Sequence, residues 1–251
     1  MSMISSSWVG DLARAGAFLT RLPLPAAEGE LASSGWAFPL IGAGLGILTG
    51  LAYIIALWLG IPPLPAAFIA VLAGVALTGA LHEDGLADTM DGLYGGSDRE
   101  TRLAIMRDSR SGAYGVLALL FSVSLRAASL AAIGDGGRVM AALIAAHALA
   151  RAGLPAVLAG YSPARSDGLG AAAGRPLGMI VTWALAIGAV LCLAMLGFSG
   201  GLIALVTAGV VMAALAALAQ RKIGGYTGDT LGAVEQGGEI VILLVAASWL
   251  S

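Results

Sequence analysis

The chain has 251 residues, of which 59% are hydrophobic and only 11% charged, and its mean hydropathy is +0.92. This exceeds what a soluble core requires, so a water-soluble globular domain is excluded and a polytopic membrane protein is expected. The formal net charge of -2, with nearly all cations being arginines gathered in short segments between apolar runs, predicts no nucleic-acid partner.

Residues 1–11 show no basic segment followed by an apolar stretch and a small-residue cleavage site, so no cleavable signal peptide is expected. A moderately apolar helix over 8–22, carrying Arg14 and Arg21, stops at Pro23-Leu-Pro25 and suits the membrane interface. After a polar link at 28–34, the run 39–59 is long enough to cross a bilayer, and Gly42, Gly44, Gly46 and Gly50 permit close helix packing. An uncharged, Pro-rich turn over 61–65 opens a second apolar run, 64–81. That run leads straight into the acidic stretch 82–97, so one helix is expected to continue through Asp91.

Residues 94–112 are polar and basic, with Arg99, Arg102, Arg107 and Arg110 beside Asp98, Glu100 and Asp108. Apolar runs follow at 113–133, 139–159, 179–196 and 202–219, and a last one, 230–250, carries Glu235 and Glu239. The expected fold is all-α: one integral membrane domain over 1–251, with about seven transmembrane helices (six to eight fit the pattern) and an amino-terminal interfacial helix. Cys192 lies in an apolar run, so no intrachain disulfide is possible and core packing is its expected role. Alternating the loops puts the basic segments 99–110, 165–175 and 221–222 on one side with Arg14 and Arg21, and only Arg138 on the other. By the positive-inside rule the basic side is cytoplasmic and the carboxyl terminus lies outside.

The chemistry gathers on that side. Asp84, Asp88 and Asp91 are spaced i, i+4, i+7, within about 60° of one another on a helix. Carboxylates are costly at membrane depth unless paired, metal-bound or facing water. Hard oxygen ligands on one helical face suit Mg²⁺, which completes its shell with waters and substrate phosphates. The nearby arginines offer planar forks to phosphate oxygens, although a basic cytoplasmic loop also follows from topology alone. Metal and arginines together suggest phosphoryl or nucleotidyl transfer, with His82 or Glu83 as the base. A second constellation, Gly224-Gly-Tyr-Thr-Gly-Asp-Thr-Leu-Gly-Ala-Val-Glu-Gln-Gly-Gly-Glu239, adds Asp229, Glu235 and Glu239. A weaker patch combines Arg151 with Arg165. Against these readings, His82 suits an interfacial position, His147 a hydrogen-bonded packing role, and Arg126 pairing within the bundle or snorkelling.

The run His82-Glu-Asp-Gly-Leu-Ala-Asp-Thr-Met-Asp-Gly-Leu, continued by Ile105-Met-Arg-Asp-Ser-Arg-Ser-Gly-Ala-Tyr-Gly115, resembles the signature of the cobalamin synthase family, the adenosylcobinamide-GDP ribazoletransferases. Phe18-Leu-Thr-Arg-Leu-Pro-Leu-Pro25 with Phe38-Pro-Leu-Ile-Gly42, and Gly224-Gly-Tyr-Thr-Gly-Asp-Thr-Leu-Gly-Ala233, are similar to that family's amino- and carboxyl-terminal patterns, so the likeness covers nearly the whole chain. The sequence departs from the pattern at Glu83, where an apolar residue is expected, and at Ser111, where isoleucine is usual.

The resemblance implies a Mg²⁺-dependent transferase in the bacterial inner membrane with its active site facing the cytosol. It would join adenosylcobinamide-GDP to α-ribazole or its 5′-phosphate with release of GMP, the ribazole 3′-hydroxyl attacking the phosphorus nearest cobinamide. The expected metal set is Asp84, Asp88 and Asp91, with His82 as base. The substrate-binding set is Arg102, Arg107, Asp108, Arg110, Arg151, Arg165, Asp229 and Glu235. A homo-oligomer is left open. Two alternatives remain. The fragment Asp84-Gly-Leu-Ala87 with Asp88 and Asp91 is similar to part of the CDP-alcohol phosphotransferase motif, although Asp88 stands where that motif has arginine. A cation or metabolite transporter would also use intramembrane acids and glycine-broken helices.

Overall fold

The computed structural model describes residues 8–25, 29–108 and 110–250. The segment for which no signal peptide is expected lies mostly outside them, as do the start of the 28–34 link and Ser109. The described residues form helices: α1 (Trp8–Leu19), a 3₁₀ segment (Leu31–Ala37) running into α2 (Phe38–Trp58), α3 (Pro63–Thr78), α4 (Leu81–Gly95), α5 (Arg99–Ile105), α6 (Ala113–Ile133), α7 (Gly136–Ala152), α8 (Leu154–Gly160), α9 (Leu169–Ala172), α10 (Gly178–Ile223) and α11 (Gly228–Leu250).

Five helical stretches are long and apolar enough to cross a membrane, and the bent pair α3 and α4 makes a sixth. The 46-residue α10 is itself interrupted by the non-helical Gly197. Gly201 comes back against Leu193 and the Cys192 carbonyl, so 178–196 and 198–223 are two antiparallel arms. Counted that way, the seven apolar passes correspond to the seven expected runs. Cys192 is fully buried between the arms. Tryptophans mark both ends of the bundle, with Trp8, Trp36 and Trp183 at one and Trp58 and Trp249 at the other, as amphipathic rings do at membrane interfaces.

The second apolar run does not continue as one helix through Asp91. It breaks after Thr78 and turns by 91°, with Gly79 and Ala80 both left-handed, at φ 66° and 59°. Glycine takes that conformation at no steric cost, whereas Ala80 does not. The chain leaving α1 helps to satisfy the break, since the Arg21 backbone N–H donates to the Leu77 carbonyl at 2.7 Å.

The break delivers the start of α4 into a buried charged network. Arg126 of α6 donates to Glu83 of α4 and to Glu239 of α11, each at 3.0 Å. Glu239 also lies 2.9 Å from His147 Nδ1 of α7, and Arg151 of α7 lies 2.5 Å from Glu235 of α11. Ser122 joins through Gln236, which donates to Glu235 at 3.1 Å. Glu83, which departs from the family pattern, ties the start of α4 to α6 through Arg126. In hydrocarbon each of these ions is tolerable only because the others surround it.

The contact of α4 with α11 is backbone to backbone. A Cβ on Gly85 would lie 2.7 Å from the Asp229 carbonyl oxygen, and one on Gly232 would lie 3.0 Å from that of His82.

Arg126→Leu, which leaves Glu83 without a cation and Glu239 with only His147 and Arg151, is expected to cost about 3–5 kcal/mol, read as a lower thermal unfolding midpoint of the detergent-solubilised protein. An unchanged midpoint would show that the network adds no stability. Gly85→Leu is expected to cost at least the 1–3 kcal/mol, roughly, of core overpacking. Gly44→Leu, where an added Cβ meets nothing within 4 Å, serves as control and should leave the midpoint unmoved.

Candidate functional site

Three polar loops and the amino-terminal segment meet at one end of the bundle, and arginines lock the loops together. Arg99 donates to the carbonyls of Ile223 (2.9 Å) and Ala164. Arg102 donates to those of Lys222 (3.1 Å) and Ser97 (3.0 Å). Arg107 pairs with Asp167 at 2.7 Å. A short bridge between Pro163 and Tyr226 closes the same assembly. The α5 helix is seated by Asp98, whose carboxylate accepts from the Thr101 N–H; that bond and the Ser97 and Thr101 hydroxyls hold it at about 2.

Beneath these loops lies a cavity of about 320 Å³. Its polar lining comes from four side chains: His82 and Asp84 at the start of α4, Asp229 at the start of α11, and Arg165 from the loop before α9. Arg165 donates to Asp229 at 3.2 Å. Thr227 sets the start of α11, its hydroxyl accepting from Thr230 N–H and donating to Asp229. The amino-terminal ends of α4 and α11 both face the cavity, and the positive ends of their dipoles make it hospitable to an anion. The remaining lining is apolar, with Phe18, Phe38, Leu154 and Leu158 prominent.

The expected metal face divides. Asp84 is exposed and Asp88 half-buried, and neither carboxylate has a hydrogen-bond partner among the described residues. Asp91 is buried and already engaged: its two oxygens accept from Gly112 N–H (2.7 Å) and Gly115 N–H (2.9 Å), fixing the start of α6. Asp84, Asp91 and Asp229 all lie within electrostatic reach of Asp88, with Arg165 opposing them. These hard oxygen donors are of the kind a divalent cation takes, but among the described residues no three of their ligand atoms converge as closely as those of His147, Glu235 and Glu239 do; Asp84 and Asp88 are the two left unpaired to hold one.

A further group, His147, Glu235 and Glu239, brings its ligand atoms within 4.8 Å of one another. Arg151 and Arg126 already occupy the approaches to those carboxylates, so an ion-pair network is the reading its geometry favours.

Of the expected substrate-binding residues, Arg165 and Asp229 reach the cavity. Arg107 stands at its rim, paired with the loop that supplies Gly168 and Gly170 to the lining. Arg110 and Asp108 pair with each other in the exposed loop, and the guanidinium holds the Asp108 carboxyl down at about 2. Arg102 is committed to loop carbonyls. Arg151 and Glu235 lie behind the cavity, 1% and 0% exposed, within the buried network. His82 spans the two regions. Its Nδ1 faces Arg151 at 3.3 Å and Glu235 at 3.4 Å, and its Nε2 has no partner among the described residues.

The apolar wall was not among the expected site residues. Phe18 and Phe38 nonetheless fall in the two amino-terminal segments singled out by resemblance, which with the 224–233 segment and the start of the 82–97 stretch converge on this one cavity.

The CobS family model, cobalamin-5-phosphate synthase, matches residues 11–247. A curated adenosylcobinamide-GDP ribazoletransferase from Bradyrhizobium diazoefficiens is 50% identical over 245 residues, covering 96% of this chain and 94% of that protein. The proteins of the same name from Mesorhizobium japonicum and Brucella ovis are each 43% identical, over 244 and 250 residues, covering 96% and 94% of this chain and 94% and 95% of theirs. No solved structure matches. With a match spanning nearly every element that builds the cavity, the chain belongs to the CobS family.

Proposed function

We propose that the protein transfers the cobinamide phosphate of adenosylcobinamide-GDP to α-ribazole or its 5′-phosphate, releasing GMP, with Mg²⁺ as cofactor. The observation that carries this reading is the cavity where the acids Asp84 and Asp229, the cation Arg165 and two helix amino termini converge, in a chain half identical to a protein named for that transfer. A pyrophosphate needs such a mixed environment: N–H groups and a guanidinium for its oxygens, and carboxylates to hold the cation that travels with it.

In this mechanism Asp84 and Asp88 would hold Mg²⁺, with Asp91, though engaged with α6, as the third acid of the set. Bound there, the ion supplies charge neutralisation on the pyrophosphate and the departing GMP. Arg165 orients the phosphate oxygens, and Arg107, whose partner Asp167 adjoins the cavity lining, and Arg110 of the exposed loop would meet the nucleotide only by exchanging their aspartate partners for it. His82 is the base for the ribazole hydroxyl. Its Nδ1–H, donating to Glu235, leaves the unpartnered Nε2 the lone pair that receives the proton, and Arg151 holds Glu235 in place. The basic loops support placing this end at the cytoplasmic face of the bacterial inner membrane. The buried acids do not favour transport, because their charges are closed among themselves by Arg126 and Arg151.

Purified protein supplied with Mg²⁺, adenosylcobinamide-GDP and α-ribazole is expected to release GMP in step with cobalamin formation, followed by chromatography. Absence of GMP release rejects the assignment. Asp84→Asn is expected to lower turnover by at least about a hundredfold while leaving membrane insertion and the unfolding midpoint intact; loss of the folded protein would assign Asp84 a structural role instead.

A further inference from the structure

The cavity is two-sided, and its halves suit different parts of a ligand. All four of its polar side chains lie on α4, α11 and the adjoining Arg165 loop. The opposite wall comes from α1, the 3₁₀ segment, the start of α2 and α8, and among the described residues Phe18, Leu31, Phe38, Leu154 and Leu158 line it without a polar side chain. These residues belong to one contiguous apolar cluster. Phe38 is 2% exposed, and Phe18 stacks on it with ring centroids 6.2 Å apart and an interplanar angle of 17°. The result is a flat aromatic ledge with Phe18 as its open surface.

At about 320 Å³ the cavity sits at the low end of ligand pockets, roughly 300–1,000 Å³. It takes one small molecule, and a corrinoid macrocycle is far too large to enter. Resting on the reaction proposed above, we infer that the Phe18 ledge is the seat of the acceptor nucleoside's base, with only the pyrophosphate end of the corrinoid substrate reaching the polar wall. The dimethylbenzimidazole of α-ribazole is flat, bicyclic and largely apolar, with a single unsubstituted ring nitrogen, and stacks on an aromatic ring with little need of polar partners. A purine base carries ring donors and acceptors that this wall would leave unpaired. Seating the base here turns the ribose toward His82 and Asp84, where its hydroxyl must react.

The test separates the two substrates. Initial rates of GMP release are measured against α-ribazole at saturating adenosylcobinamide-GDP, and the reverse. Phe18→Ala is expected to raise KM for α-ribazole about tenfold and to leave KM for adenosylcobinamide-GDP within about twofold. Phe18→Leu, which keeps apolar bulk, should recover most of the loss. If Phe18→Ala does not accumulate, Phe18→Tyr, which puts a hydroxyl on the apolar wall, should give the same split. An equal rise in both constants, or a rise for the corrinoid substrate alone, overturns the inference while leaving the transfer reaction standing. If the wild-type protein releases no GMP, the reaction fails, and the ledge is judged by titrating α-ribazole alone and following its benzimidazole fluorescence. A Kd weakened about tenfold in Phe18→Ala supports the ledge; no binding, or an unchanged Kd, overturns it.

Discussion

The structure depends on a cluster of charges that cannot leave one another. Glu83, Glu235 and Glu239 face Arg126 and Arg151 inside an apolar bundle, with His82 and His147 completing the shell. Removing one ion from such a group leaves its partner uncompensated where water cannot reach, which costs far more than the pair contributes when intact. The network therefore acts as a register. It admits one arrangement of α4, α6, α7 and α11, and that arrangement is the one that exposes Asp84 to the cavity. The broken α3–α4 element follows from this demand, because an unbroken helix would not bring the start of α4 against Arg126 and Arg151.

With α4 anchored at its start by Glu83 and His82, its far end is held by Asp91 accepting from the start of α6. Between the anchors, Gly85 lies directly on the backbone of α11. The acidic face is thus clamped at both ends and pressed from the side. Rigid placement of this kind is what a charged site needs when its task is to position phosphates.

Much of this was legible in the chain. The seven apolar runs follow from composition and length, and the spacing of Asp84, Asp88 and Asp91 put them on one helical stripe. Asp229 was recognisable in a glycine-rich acidic segment, and Arg165 only in a weaker patch with Arg151, both assigned to the basic side. Three things were not legible, each for a physical reason. The break at Gly79–Ala80 carries weak local signal, since alanine is a strong helix former and takes a left-handed conformation only under tertiary constraint. Glu83 looked out of place because its partner lies 43 residues away on another helix. The apolar wall was invisible because a phenylalanine lining a cavity and one packed in a core look alike in a hydrophobic sequence.

The arginines show best how a residue type can mislead about its use. A guanidinium matches phosphate, and equally matches a carbonyl pair or a carboxylate. In this fold Arg126 and Arg151 are consumed by the buried network, Arg99 and Arg102 by loop carbonyls, and Arg107 and Arg110 by aspartates at the rim. Arg165 alone among these reaches the cavity, and there it is already paired with Asp229. Under the proposed reaction a single shared guanidinium would be a weak holder for a pyrophosphate, and the dipoles of α4 and α11 together with a cation on Asp84 and Asp88 would supply the rest of the neutralisation. The economy of arginine thus points to the same requirement as the surplus of carboxylate.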